Sequence, residues 1–203
     1  MNAPSNYQQF IADKAIAPII SGFDIDESCI NPALFDFQNL ITRWALKRGR
    51  AAIFGDTGNG KTPMQVEWSN QVAKHTDGQI MIAAPLAVAQ QTVEMASELL
   101  GVKIGYARNP SQIKEQITIT NYEMMQEFDL SAFAGLALDE SSILKSQTGA
   151  TRTAIIELAQ HIPYRLALSA TPSPRSERQF GELRMAAELR SHESDTDQLT
   201  RAT

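Results

Sequence analysis

One short stretch limits what this chain can fold into more than any other. Gly55-Asp56-Thr57-Gly58-Asn59-Gly60-Lys61-Thr62 satisfies G-x-x-x-x-G-K-[ST]. The apolar run Ala51 to Phe54 before it reads as a buried strand, and Thr62 to Lys74 after it reads as a helix. That strand–loop–helix context gives the motif its meaning, and without it the glycines could match by chance. In this setting glycines let backbone N–H groups point inward at phosphate oxygens, and the helix offers its positive end. Gly58, Asn59 and Gly60 are expected to cradle phosphates and Lys61 to reach the β and γ positions. The Thr62 hydroxyl is expected to ligate Mg²⁺. Pro63 falls in the first helical turn, where a missing N–H costs little.

The rest of the chain alternates strands with helices. Asp36 to Lys47 carries Phe37, Leu40, Ile41, Trp44 and Ala45 at helical spacing and stops at Gly49. Gln79 to Ala84, Lys103 to Ala107, Ile117 to Thr120, Leu136 to Leu138 and Arg165 to Ser169 read as strands. Ala87 to Leu100 and Thr151 to His161 read as helices, as does a short piece of the N-terminal stretch, Tyr7 to Ala17. This order predicts an α/β fold, a mainly parallel sheet with right-handed crossovers and helices on both faces. Leu136-Ala137-Leu138-Asp139-Glu140 is an apolar strand ending in two acids. Alone, such a pair is most often a turn or the cap of the next helix. Beside a phosphate loop, Asp139 is expected to hold Mg²⁺ and Glu140 to polarise the attacking water.

Composition bounds the partners. With 203 residues and a net charge of −5, the chain carries the wrong sign to wrap nucleic acid by bulk electrostatics. Arg43, Lys47, Arg48 and Arg50 cluster, and read as the solvated C-terminal end of a helix. The single cysteine, Cys29, suits a reducing cytoplasm, and no apolar run approaches the roughly 20 residues of a membrane span. His75, His161 and His192 have no partners at metal-ligand spacing. Trp44 and Trp68 sit at apolar helical positions and read as core or interface rather than base-stacking platforms.

Several segments fall in the order found in superfamily two helicases, especially the Swi/Snf-type ATPases and their phage-encoded relatives. Leu34-Phe35-Asp36-Phe37-Gln38 resembles the segment whose glutamine reads adenine, and Phe54 to Thr62 resembles motif I. Ala84-Pro85-Leu86-Ala87-Val88 resembles motif Ia, and Ile119-Thr120-Asn121-Tyr122-Glu123 a later nucleic-acid-contacting motif. Leu138-Asp139-Glu140-Ser141-Ser142, followed by Ile143-Leu144-Lys145, resembles motif II, and Leu168-Ser169-Ala170-Thr171-Pro172 resembles motif III. The resemblance implies a RecA-like domain, ATP, Mg²⁺ and a DNA or RNA track. It implies an adenine contact for Gln38, which alone would read as a polar position on a surface helix. For Ser169 and Thr171 it implies coupling between nucleotide and nucleic acid, against an ordinary strand end and turn. Asn121 and Tyr122 would touch a phosphate backbone, or Tyr122 would simply pack against the sheet.

The expected layout is an arm at 1–33, a RecA-like ATP-binding domain at 34–174, and a polar, partly disordered tail at 175–203. The family's phage-type continuation does not follow Pro174, and no second RecA-like domain is expected within these residues. The expected function is therefore the ATP-binding half of a cytoplasmic motor. It would hydrolyse ATP slowly, bind nucleic acid weakly alone, and work with a second motor domain or partner in trans. Two rivals stay open: a regulatory module that binds ATP without productive turnover, and a P-loop kinase. The Ser-Ala-Thr motif and the adjacent acids argue against the kinase.

Overall fold

The computed structural model describes residues 21–141, 157 and 159–170. The expected helix at 7–17, Ser142 to Lys145, Thr171 and Pro172, and the tail from 175 lie outside these residues, as does most of the expected helix at 151–161, of which Glu157 and Ala159 are described and helical. The six strands are β1 (Arg50–Phe54), β2 (Gln79–Ala84), β3 (Ile104–Tyr106), β4 (Ile117–Asn121), β5 (Phe133–Leu138) and β6 (Tyr164–Ser169). They form a single sheet in the order β1-β6-β5-β2-β4-β3, every pairing parallel. Parallel neighbours cannot be joined by tight turns, so each connection must cross a face of the sheet. Among the described residues three α-helices are seen whole, α1 (Asp36–Arg48), α2 (Lys61–Thr76) and α3 (Leu86–Leu100). Strand β5 begins three residues earlier than Leu136, because Phe133 and Gly135 pair with β2, and Gly135 also with β6.

Alternating strand residues sort onto two cores. Ile80, Ile82, Ile119, Leu166 and Leu168 face the three helices, with Trp68 fully buried among them. Met81, Ala83, Leu136 and Leu138 face the other way, toward Tyr122, Met125, Phe128, Leu130 and Ile162. Among the described residues that second face is covered mainly by two short 3-10 helices, Tyr122–Glu127 and Leu130–Ala132, while all three described α-helices lie on the first.

The helical spacing located α1 but not the face it buries. Gln38, Thr42, Ala45 and Leu46 form the buried stripe, whereas Phe37, Leu40 and Trp44 are about half exposed. The stripe at i, i+4, i+7 and i+8 is the one that meets α2 and the sheet. Trp44 is therefore not core; its ring lies under the guanidinium of Arg48, 5.6 Å away. The neighbouring cations are likewise occupied within the chain. Lys47 pairs with Asp24 at 2.6 Å and Arg43 with Glu27 at 3.4 Å. Being exposed, these pairs contribute little stability, but they direct the basic cluster at the preceding segment.

That segment, from Ser21 to Leu34, is fastened to the domain. Ile30 is buried in the helix-side core, and Phe23 stacks on His75 at 3.8 Å. Asn31 donates its backbone N–H to the buried Glu67 carboxylate and its side-chain amide to the carbonyl of Leu100. Glu67 also accepts from Gln71 and Asn70, so its charge is enclosed by donors, as a buried charge must be. No described helix is long and apolar enough to cross a membrane.

Candidate functional site

Because every strand runs the same way, the loops after their C-terminal ends gather along one edge of the sheet. Strand β6 lies between β1 and β5, so the loop Gly55 to Gly60, the pair Asp139-Glu140 and the pair Ser169-Ala170 emerge side by side. Gly55 donates its N–H to the carbonyl of Ser169, joining the first and last of these exits. Asp139 donates its N–H to Ala83, extending the β2–β5 pairing by one residue. The Ser141 hydroxyl donates to the carbonyl of Leu168.

The loop has the backbone its composition foretold. Gly58 and Gly60 take φ of +88° and +64°, left-handed values that glycine adopts without a Cβ penalty. Gly60 serves as the N-cap of α2, and Pro63 sits in that helix's first turn. The Lys61 ammonium donates to the carbonyls of Gly55 and Asp56, each at 2.9 Å, so it lies folded across its own loop. Asp56 to Asn59 are exposed, while Lys61 and Thr62 are half-buried. Gln38 is buried against this loop: its Oε1 accepts from the N–H of Phe35 at 3.0 Å, and its Nε2 donates to the carbonyl of Gly60 at 3.4 Å.

A Cβ at Gly60 would collide with the Gln38 amide. Gly60→Ala should therefore cost about 1–2 kcal/mol for the left-handed backbone alone, with more from the collision. Urea unfolding should show that loss together with weakened nucleotide binding. A variant as stable as the parent would mean that Gly60 does not hold its left-handed backbone in solution.

The two acids differ in environment. Asp139 is buried, and desolvation, then the neighbouring Glu140 charge, push its carboxyl above the usual carboxylate range; the Glu140 backbone N–H and the Lys61 charge pull the other way. Glu140 is half-buried and held by its neighbours: Oε1 accepts from the Ser169 hydroxyl at 3.1 Å, and Oε2 from the N–H of Ala170 at 3.3 Å. Its backbone is left-handed at φ +50°, a conformation that costs a non-glycine residue of order 1 kcal/mol. The site is thus open at its loop and closed around Asp139.

Tyr122 settles into one of its two readings. It is buried in the second core and its hydroxyl donates to the backbone carbonyl of Asp139 at 2.7 Å, so it packs under the sheet edge rather than facing a phosphate backbone. Burial, then the charges of Asp139 and Glu140, raise its phenol well above the ordinary value. Asn121 is also buried and bonds Glu123 through its side chain. The link from Tyr122 to Asp139 has no sequence signature, since it joins two strands' exits that lie 17 residues apart. Among the described residues no cluster of histidine, cysteine and carboxylates is arranged to hold a metal. A cation bridged by substrate phosphates needs fewer protein ligands; Thr62, in the first turn of α2, and Asp139, after the end of β5, are the oxygen donors that would hold one. The two loop glycines at positive φ and the adjacent ammonium fit a phosphate chain.

The fold is shared with solved structures of a SWI2/SNF2 ATPase core and of a phage helicase. The chain matches a SWI2/SNF2 ATPase core from Sulfolobus solfataricus, in complex with dsDNA, at 21% identity and a TM-score of 0.58, over 73% of this chain and 34% of that one. The same core solved as "SWI2/SNF2 ATPase core domain" matches at 18% identity and a TM-score of 0.56, over 76% and 36%. The UvsW helicase from bacteriophage T4 matches at 16% identity and a TM-score of 0.58, over 82% of this chain and 60% of that one. The chain thus spans between a third and three fifths of these proteins, and what it shares with them is the RecA-like fold. No protein-family model matches the sequence, and no curated protein does.

Proposed function

We propose that this chain is the first RecA-like domain of a superfamily two motor of the Swi/Snf kind: it binds Mg·ATP and hydrolyses it slowly alone, with nucleic acid stimulating turnover. The observation that carries the reading is the convergence, at the ends of three adjacent parallel strands, of the phosphate loop, an acid pair, and a Ser-Ala turn bonded to the second acid. In this reading Gly58, Asn59 and Gly60 present N–H groups to the phosphates and Lys61 binds them. Thr62 and Asp139 hold Mg²⁺, whose charge offsets that of the phosphates. Glu140 orients and deprotonates the attacking water, with Ser169 and Ala170 fixing its carboxylate. Gln38 keeps one N–H and one lone pair beyond its two bonds, which is the complement of the adenine edge.

Stabilisation of the transferring phosphate by an arginine from a second domain is worth ~10³–10⁵ in rate. Turnover by the present unit is accordingly slow until a second domain or a partner supplies such a group. DNA or RNA would engage the segments after β2 and β4 that resemble the nucleic-acid-contacting motifs. The net charge of −5 makes that binding weak and salt-sensitive. The test is ATP turnover with and without duplex DNA, single-stranded DNA or RNA, measured beside ATP binding. Stimulated turnover is the expected result. Binding with no turnover under any condition would replace this reading with that of a regulatory module.

A further inference from the structure

We propose that Tyr122 is a positioning residue for Glu140: its hydroxyl fixes the peptide that joins the two acids and so aims the second carboxylate. This rests on Glu140 being the group that acts on water. Three observations converge on that peptide. First, the Asp139 backbone is held at both ends, its N–H by the carbonyl of Ala83 at 2.8 Å and its carbonyl by the Tyr122 hydroxyl at 2.7 Å. Second, the plane of the 139–140 peptide sets φ of Glu140, and that φ is +50°, a value a glutamate leaves unless its surroundings hold it. Third, from this backbone the carboxylate reaches Ser169 and Ala170, the exit of the neighbouring strand.

Tyr122 can act as a strut because it is itself immobile. It begins a 3-10 helix, is 2% exposed, and packs in the same core as Met125, Phe128, Leu136 and Leu138. Its hydroxyl therefore reaches the Asp139 carbonyl from a rigid base, beneath the sheet edge. Phenylalanine would keep the ring and its packing while removing only the donor. The buried carbonyl would then lack that partner, and turning the peptide to find another would let Glu140 relax to negative φ and swing off Ser169.

Hydrogen–deuterium exchange on the full chain tests this without needing catalysis. Tyr122→Phe should raise exchange at residues 139–141 by about tenfold, the scale of one lost buried hydrogen bond. Exchange in α2 and in the body of β2 and β5 should stay unchanged. Met125→Ala serves as the comparison, since it loosens the same core without touching the hydroxyl, and it should not give this local pattern. With Mg·ATP, Tyr122→Phe should lower kcat about tenfold while nucleotide affinity holds, because the phosphate loop is untouched. Unchanged exchange at 139–141 overturns the proposal, as does the same local pattern in Met125→Ala. Should the parent protein show no turnover, the ATPase reading fails while the exchange comparison still decides the strut.

Discussion

Lys61→Ala should weaken Mg·ATP binding by roughly 10- to 100-fold, the value of one charge-assisted contact to phosphate. The ammonium now bonds the carbonyls of Gly55 and Asp56, so it is already positioned over the loop, and nucleotide would exchange those carbonyls for phosphate oxygens. Removing it leaves the glycine N–H groups and the helix end, which alone hold a triphosphate poorly. The fold should survive, because Lys61 is half-buried at the start of α2 and contributes nothing to either core. Titration calorimetry on the folded variant checks this. Parent-like affinity would remove the phosphate-loop assignment and, with it, the motor reading.

Glu140→Gln should leave that affinity within about threefold and reduce turnover ~10²-fold or more, the usual contribution of a general base. The separation follows from position: Glu140 bonds Ser169 and Ala170 on the β6 side. Glutamine can still accept from one of these donors, so the local structure changes little. Equal turnover in parent and variant would sink the role assigned to Glu140. A matching loss of affinity would instead place Glu140 among the groups that hold nucleotide or metal.

Both experiments concern residues picked out by local patterns, and much of the structure was legible that way. The strand–loop–helix around Lys61 could be read because glycine, lysine and threonine at that spacing impose a backbone by themselves. β2 and α3 could be placed to within a residue because apolar runs, Pro85 and Gly101 mark their ends chemically. The face of α1 was not legible. Phe37, Leu40 and Trp44 outweigh Gln38 and Thr42 in hydrophobicity, yet the latter are buried. Gln38 is turned inward by its bonds to Phe35 and Gly60, a contact spanning 22 residues.

The amino-acid sequence alone determined the described strands and α-helices, their order, the glycine-rich loop between β1 and α2 and the presence of an acid pair at a strand end. Each of these depends on interactions within a few residues of one another. Only the tertiary structure decided that β6 lies between β1 and β5. That placement brings Ser169 and Ala170 onto Glu140, sinks Asp139 below the surface, and lets the Tyr122 hydroxyl reach the peptide between the acids. Strand order is chosen by which apolar faces can be covered together, a long-range outcome that neither periodicity nor spacing encodes.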